Sequence, residues 1–407
     1  MHVLFVAPNF PANQRQFVRA LHAVGAKVTG IGDVPVDWID AELKGWMHGY
    51  EHVPSLADEA AVTAAVRRVQ KREWVDRLES TVEAHMIPTA RVREATGIPG
   101  LSVEQVMLCR DKFIMKQFLR ERGIPCARNA AVDSPEDARR FVKAVGYPVI
   151  VKPRDGAGAA GTSRIDDDAG LERALAELGV GRNRTFITME EFISGHEGFY
   201  DTLTVNGEVV FEAVSHYYPN VLDAMRNRWI SPYIVVTNRM DSGGYDELKA
   251  MGRKVVREMG LGTTPTHMEW FFGPKGLSFS EIGARPPGVR FWDLYCWAND
   301  MDLYVEWAKA LALGGARPRP SRAYAAGLIS IRPSQDGRIT GYSGLDQLHA
   351  RYGKWLGEVH MPAIGQRTAE VGAGYMGHGW MHVRHPDYDE CRRILDYIGE
   401  TVKLWAA

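Results

Sequence analysis

The sequence predicts α/β and α+β architecture spread over two or three domains, on three observations. A chain of 407 residues exceeds what one ordinary hydrophobic core organises. Its opening alternates a strand pattern at 2–7, a helix pattern at 13–25 and a strand pattern at 27–32, which marks a small parallel sheet. Its centre instead carries paired apolar runs around tight turns. Residues 199–214 turn at Asn206-Gly207 and residues 266–285 at Gly273-Pro274-Lys275-Gly276, and both read as antiparallel hairpins.

Composition narrows the class. Hydrophobic content of 45% and charged content of 24% are those of a soluble globular protein. A formal net charge of −1 gives no electrostatic footprint for nucleic acid or an anionic membrane, so neither is an expected partner. No apolar run reaches membrane-spanning length, and the start Met1-His2-Val3-Leu4-Phe5 lacks a basic n-region, reading as a first strand. Cys109, Cys126, Cys296 and Cys391 are widely separated, with no CxxC pair. They fit reduced thiols in a cytoplasmic protein better than a disulfide framework or a zinc site.

The elements follow in order. A charged helical stretch covers 58–78, and a helix covers 109–122 until Gly123-Ile124-Pro125 stops it. The loop Pro8-Asn9-Phe10-Pro11 lacks GxGxxG, so nothing marks the first unit as a dinucleotide binder. Ser134-Pro135-Glu136-Asp137 opens a helix to 145 with an N-cap residue, Pro at N1 and an acidic first turn. Strand 147–152, a Gly-rich loop, strand 162–165, helix 169–178 and strand 185–189 come next. Helix 246–259 ends at Gly260, and helix 302–313 ends at Gly314-Gly315. Residues 315–321 read as a linker, followed by strand 326–331, a turn at Asp336-Gly337 and a last helix over 388–404.

The hairpin over 266–285 brings two carboxylates together. With a loop over 274–276, Glu269 and Glu281 stand opposite each other on one face. At about 5 Å and an effective dielectric near 20, their repulsion is roughly 3 kcal/mol. A bound cation accounts for such a pair, with Arg285 close behind; a register offset by one residue is the alternative.

Two other segments have chemical character. In 147–161 a buried strand ends in Lys152 and runs into Pro153-Arg154-Asp155-Gly156-Ala157-Gly158-Ala159-Ala160-Gly161. Backbone N–H groups of such a loop approach phosphate oxygens and the lysine adds charge, although a plain turn between strands reads the same way. It is not a Walker A loop, and Lys112 alone reads as a solvated helix lysine. In Ile187-Thr188-Met189-Glu190-Glu191-Phe192-Ile193, followed by Glu197, an acid and then apolar residues suit an adenine slot. Glu190 accepts from the amine there, and Glu197 from ribose hydroxyls; an ordinary surface strand end is the alternative.

Taken in order, Lys112, Lys152, the 156–161 loop, Glu190, Glu197, Glu269, Glu281 and Arg285 resemble the ATP-grasp superfamily. The resemblance is specific over about 100–315 and looser beyond. It implies an N-terminal Rossmann-like pre-ATP-grasp domain over 1–108 and a two-lobed ATP-binding core over 109–316, with lobes about 109–187 and 188–316. A small α+β domain over 317–407 follows. It implies ATP contacts from Lys112, Lys152, Gly156, Gly158, Gly161, Glu190, Ile193 (through its backbone) and Glu197. It places Mg²⁺, or Mn²⁺ in its stead, on Glu269 and Glu281, and assigns catalysis to Lys152 and Arg285. One departure stands out: the family's Glu-x-Asn-x-Arg reads Glu281-Ile282-Gly283-Ala284-Arg285 here. A ligand is therefore missing at Gly283 or supplied from elsewhere.

The chemistry such a site serves is carboxylate activation: an acyl phosphate forms, and an amine then displaces phosphate. Arg285-Pro286-Pro287-Gly288 resembles the carboxylate–amine ligases, including amino-acid ligases, and lacks the Arg-x-Gln-Val-Glu-His continuation of biotin carboxylases. Substrate candidates are Arg290 or Arg285, as a clamp on a second carboxylate, and His267 on the face of Glu269, with Tyr217, Arg226, Arg228 and Trp229. The turn Gly374-Tyr375-Met376-Gly377-His378-Gly379 reads as structural. A carboxylase or other phosphoryl-transfer enzyme, and a nucleotide-binding regulatory protein with a degenerate site, are the competing classes. Expected partners are a small-molecule carboxylate, an amine and, by family analogy, a second copy of the chain as a homodimer.

Overall fold

The computed structural model of the chain describes residues 1–154, 161–181, 186–371 and 374–407. Its first sheet holds β1 (His2–Val6), β2 (Lys27–Gly32), β3 (Gly49–His52) and β4 (Arg77–Glu79) in the order β3-β2-β1-β4, all parallel. Every residue of β1 is buried, as a central parallel strand requires. Helix Gln14–Ala23 buries Phe17, Val18 and Leu21. The Phe17 ring lies 5.2 Å from Trp292, 4.8 Å from Tyr304 and 5.0 Å from Trp307. The N-terminal core thus runs on into helices Phe291–Asn299 and Leu303–Ala312.

Two helix expectations are corrected here. The stretch over 58–78 is helical only at Glu59–Gln70, because its buried positions Val62, Ala65, Val66 and Val69 end the 3.6-residue pattern there. The helix over 109–122 is two helices, Val103–Arg110 and Lys112–Glu121. Asp111 lies between them with extended backbone, and its carboxylate accepts from the N–H groups of Phe113 and Ile114. A short acidic side chain competes for backbone donors, so it starts a new helix rather than extending the old one.

The second sheet holds β5 (Asn129–Val132), β6 (Val149–Pro153), β7 (Ser163–Ile165) and β8 (Ile187–Glu191) in the order β5-β8-β6-β7. The third has eight strands: β9 (His196–Val205), β10 (Glu208–Tyr218), β11 (Tyr233–Val236), β12 (Pro265–Gly273), β13 (Gly276–Gly283), β14 (Ala325–Ile331), β16 (Leu356–His360) and β17 (Gly379–His385). Their order is β13-β12-β9-β10-β11-β14-β17-β16. The pairing of β11 with β14 carries this one sheet across the expected linker into the C-terminal segment. A last pair joins β15 (Ile339–Ser343) to β18 (Lys403–Ala406), so the final helix is Tyr388–Thr401 and the chain leaves it as a strand.

Both hairpins form. Asn206 and Gly207 have φ of 51° and 87°, the left-handed pair that a two-residue turn with native strand twist needs. In the second hairpin Glu269 faces Glu281, as read, but for a different reason. The loop is only Pro274-Lys275, closed by Gly273 opposite Gly276. The additional residue is Ser280, which has no partner in β12 and forms a bulge between the pairs Trp270–Phe279 and Glu269–Glu281.

Candidate active site

Sheet register brings the polar residues to one face. Glu281 of β13, Glu269 of β12 and Phe199 of β9 are successive cross-strand partners. On the rung to one side lie Phe271, Glu197 and, across β10, Tyr217 paired with Ile234. On the other side lie Gly283, His267 and Asp201. Residues two apart along a strand share a face, so these rungs form one surface.

The four-stranded sheet faces it across a cavity of about 380 Å³. On that side Ile150 pairs with Glu190, which sets Lys152 on the diagonal, and Lys152 Nζ lies 2.9 Å from Glu190 Oε2. Helix Lys112–Glu121 presents Lys112 and Lys116 one turn apart. Lys112 Nζ reaches Glu281 Oε2 at 3.2 Å, and Lys116 Nζ reaches Glu190 Oε2 at 2.5 Å. The Lys112 default of a solvated lysine is overturned, since it is 7% exposed and lines the cavity.

The charges shape one another. Burial disfavours ionised Glu281, but Lys112 and Lys152 outweigh it and hold its carboxyl down at about 2. Burial and Glu281 push Glu269 up, and burial and Glu269 push Glu197 up to about 8. Glu190 stays below the usual range despite burial because Lys116 and Lys152 flank it. Its Oε1 is buried with no hydrogen-bond partner, a polar atom left for a ligand donor.

Of the other expected residues, Ile193, Glu197, Tyr217, Arg226, His267 and Arg285 line the cavity. Glu197 Oε2 accepts from the Val221 N–H at 2.7 Å, and the Tyr217 hydroxyl stands 3.5 Å from Glu269 Oε1. A ring nitrogen of His267 lies 2.7 Å from Asp201 Oδ1, and the other lies 3.9 Å from Glu269 Oε1. Gly161 has φ of 70°, whereas Gly156 and Gly158 lie outside the described residues. Three candidates, Arg290, Arg228 and Trp229, are not brought to the cavity wall. Arg290 pairs with Asp293 and Glu358, each at 2.7 Å, and Arg228 pairs with Asp336 at 2.5 Å. Trp229 is 80% exposed.

Sequence reasoning missed Lys116, Asp201, Tyr375 and Glu83. Only Lys116 had a signal, its spacing of four from Lys112. Glu83 crosses from the N-terminal unit to bond both Arg285 Nε and Arg110 Nη1. A Cβ on Gly283 would stand 3.4 Å from Glu83 Oε2 and 3.5 Å from Arg285 Cγ. The side chain absent at 283 therefore leaves the space that the Glu83 carboxylate occupies.

The donor set fits Mg²⁺. Glu269 and Glu281 offer hard carboxylate oxygens, and Mg²⁺ takes one or two of these with phosphate oxygens and waters. Among the described residues no group of three or more His, Cys, Asp or Glu is placed to hold a metal.

Residues 117–296 match the ATP-grasp domain family. The chain is 27% identical over 277 residues to the L-arginine-specific L-amino acid ligase of Bacillus subtilis, a match covering 64% of this chain and 66% of that protein. It is 24% identical over 297 residues to the alanine–anticapsin ligase of Bacillus subtilis strain 168, covering 63% and 61%. The chain thus spans somewhat less than two thirds of these relatives' length. The crystal structure of an L-amino acid ligase from Bacillus licheniformis superposes with a TM-score of 0.78 at 18% identity, covering 100% of this chain and 98% of that one, which establishes a shared fold. The chain thus carries an ATP-grasp domain over residues 117–296, within a fold shared with that L-amino acid ligase structure.

Proposed function

We propose that this protein is an ATP-dependent carboxylate–amine ligase. It activates one substrate carboxylate as an acyl phosphate and couples it to an amine, releasing ADP and phosphate. The observation that carries this reading is the facing pair Glu269–Glu281, with Lys112 and Lys152 within 4 Å of Glu281, on the wall of one cavity. The amino-acid ligases among the relatives are consistent with it.

In this reading Lys112 and Lys152 exchange their carboxylate partners for ATP phosphates. Glu190 offers its unpartnered oxygen to the adenine amine, the Ile193 backbone meets the ring, and Glu197 takes the ribose. Glu269 and Glu281 would hold Mg²⁺, which supplies charge neutralisation at the phosphates when bound. A substrate carboxylate oxygen attacks the γ-phosphorus in line and the bond to the ADP oxygen breaks. Arg285, held by Glu83, faces the negative charge that spreads over the transferred group. The amine nitrogen then attacks the acyl carbon, phosphate leaves, and a proton departs from nitrogen. The four free cysteines, with no disulfide among them, suit a cytoplasmic setting for this chemistry.

The test is release of ADP and phosphate against a panel of amino acids and small carboxylates, with Mg²⁺ or Mn²⁺. Substrate-dependent turnover supports the reading, and its absence across the panel sinks it. Glu281→Ala is expected to lower turnover more than about 100-fold while nucleotide still binds; unchanged turnover removes the metal role.

A further inference from the structure

One buried cation of the cavity has no task in the proposed reaction. Lys116 lines the cavity, is 2% exposed and stands one turn after Lys112 on helix Lys112–Glu121, which buries both. Its Nζ lies 2.5 Å from Glu190 Oε2, the same oxygen that Lys152 Nζ approaches to 2.9 Å. Among the described residues Glu190 is its one ion-pair partner. Glu190 stands on β8 between Asn129 of β5 and Ile150 of β6. Ile187 and Met189 of β8 belong to the apolar core of that sheet, so Glu190 points the other way, to the cavity.

The charges alternate through the cavity. Lys116 meets Glu190, Glu190 meets Lys152, Lys152 lies 3.9 Å from Glu281, and Glu281 lies 3.2 Å from Lys112. In the ligase reading Lys152 turns to the ATP phosphates. Glu281 shares Mg²⁺ with Glu269 in that reading and is not left alone, whereas Glu190 keeps a single counter-ion, Lys116. A buried carboxylate without any partner is costly in its charged form, and a neutral one offers the adenine amine a weaker hydrogen bond. The bond at Oε2 also holds the carboxylate in place. Once Lys152 has left, Lys116 alone sets the direction of Oε1, the oxygen without a partner.

We propose that Lys116 is a positioning residue of the nucleotide site: it stays on Glu190 while Lys152 serves the phosphates, and so keeps Glu190 aimed at the exocyclic amine of adenine. The inference rests on the nucleotide half of the proposed function, with adenine at Glu190 and phosphate at Lys152, and not on the acid or amine substrates. It separates two lysines that share one oxygen. Lys152 moves with the nucleotide, and Lys116 does not.

The test is titration of the full chain with ATP and with purine riboside triphosphate, which has the same ring and phosphates without the exocyclic amine. The wild-type protein is expected to bind ATP about 10- to 100-fold tighter, the range of a hydrogen bond to a charged group. Lys116→Met is expected to weaken ATP by a similar factor and the analogue by less than about threefold, which brings the two together. Lys116→Arg keeps the charge and recovers part of the preference. Lys116→Gln, with a donor but no charge, gives an intermediate preference and serves if Lys116→Met does not fold. Equal losses for both nucleotides, or a preference unchanged in Lys116→Met and Lys116→Gln, overturn the inference. In the first case Lys116 touches the ring itself or only holds the fold. A wild-type protein that binds both nucleotides alike overturns it too, since no amine is then read at Glu190. The expected binding in a protein that releases phosphate with no substrate supports the inference and sinks the ligase reading. Binding of neither nucleotide overturns the inference together with the nucleotide site.

Discussion

Glu83 and Gly283 are expected to be energetically coupled, and a double-mutant cycle measures it. Glu83→Ala removes a carboxylate that Arg285 and Arg110 share. Breaking a fully buried pair costs about 3–5 kcal/mol, and an exposed pair is worth about 0–1 kcal/mol. Glu83, Arg285 and Arg110 keep 19%, 18% and 14% of their side chains exposed, which places the loss between those limits, at about 2–3 kcal/mol. Gly283→Asn restores the residue that the family resemblance leads one to expect. Its Cβ is tolerated at 3.4 Å from Glu83 Oε2, but the carboxamide beyond it displaces Glu83, an overpacking cost of about 1–3 kcal/mol. With Glu83 gone the carboxamide has room and its oxygen accepts from Arg285. The double variant should therefore be more stable than the sum of the singles by about 1–2 kcal/mol in urea unfolding. Phosphate release is expected to fall in each single variant. A coupling within about 0.5 kcal/mol of zero refutes the view that Glu83 fills the space left at 283.

Other consequences are as accessible. Glu190→Gln leaves Lys116 and Lys152 buried without their shared carboxylate, so stability should fall by about 2–4 kcal/mol and nucleotide affinity with it; urea unfolding and nucleotide titration check this. Asp111→Ala removes the cap of helix Lys112–Glu121 and the partner of Arg154, and should cost about 2–3 kcal/mol by the same unfolding assay, with a weaker nucleotide site because Lys112 begins that helix. Burial, with His196 and Arg392 beside it, pushes His216 from 6.5 down to about 3. The unfolded chain takes up that proton first, so stability is full above about pH 6.5 and falls as pH drops towards 3, by up to about 1.4 kcal/mol per unit. Unfolding at pH 7 and pH 5 should show a shallower slope in His216→Phe, and equal slopes would count against it.

What the sequence made legible is what local pattern and spacing determine. The Asn206-Gly207 turn and the capped helix at Ser134 depend on residues close in the chain, where period and turn chemistry act, whereas the opposition of Glu269 and Glu281 follows in the sequence from a three-residue loop and arises in the structure from a two-residue loop plus the bulge at Ser280. The site residues Lys112, Lys152, Glu190 and Glu281 were legible as an ordered set, although the salt bridges that join them were not. What escaped depends on tertiary placement. Glu83 meets Arg285 from 202 positions away, and no local pattern distinguishes it from a surface acid. The break at Asp111 was visible in residue type, yet the apolar run on both sides suggested one continuous helix.

The bulge at Ser280 separates two properties that a hairpin usually ties together. Beyond it the strand is pinned from outside, because the Phe279 N–H donates to the Pro125 carbonyl at 2.7 Å and Cys126 bridges to Phe279. The alignment of Glu281 with Glu269 is thus stored in the bulge and in this anchor, not at the tip. Residues added or removed around Pro274-Lys275 can be absorbed by the outer rungs without turning Glu281 away from its partner. The tip is free to drift in length, whereas deleting Ser280 would remove the bulge itself and leave Phe279 on Trp270 and Glu281 on Glu269 in a regular ladder, with Glu281 still on the cavity face. The position of Glu281 at this edge is therefore robust to changes on either side of Phe279.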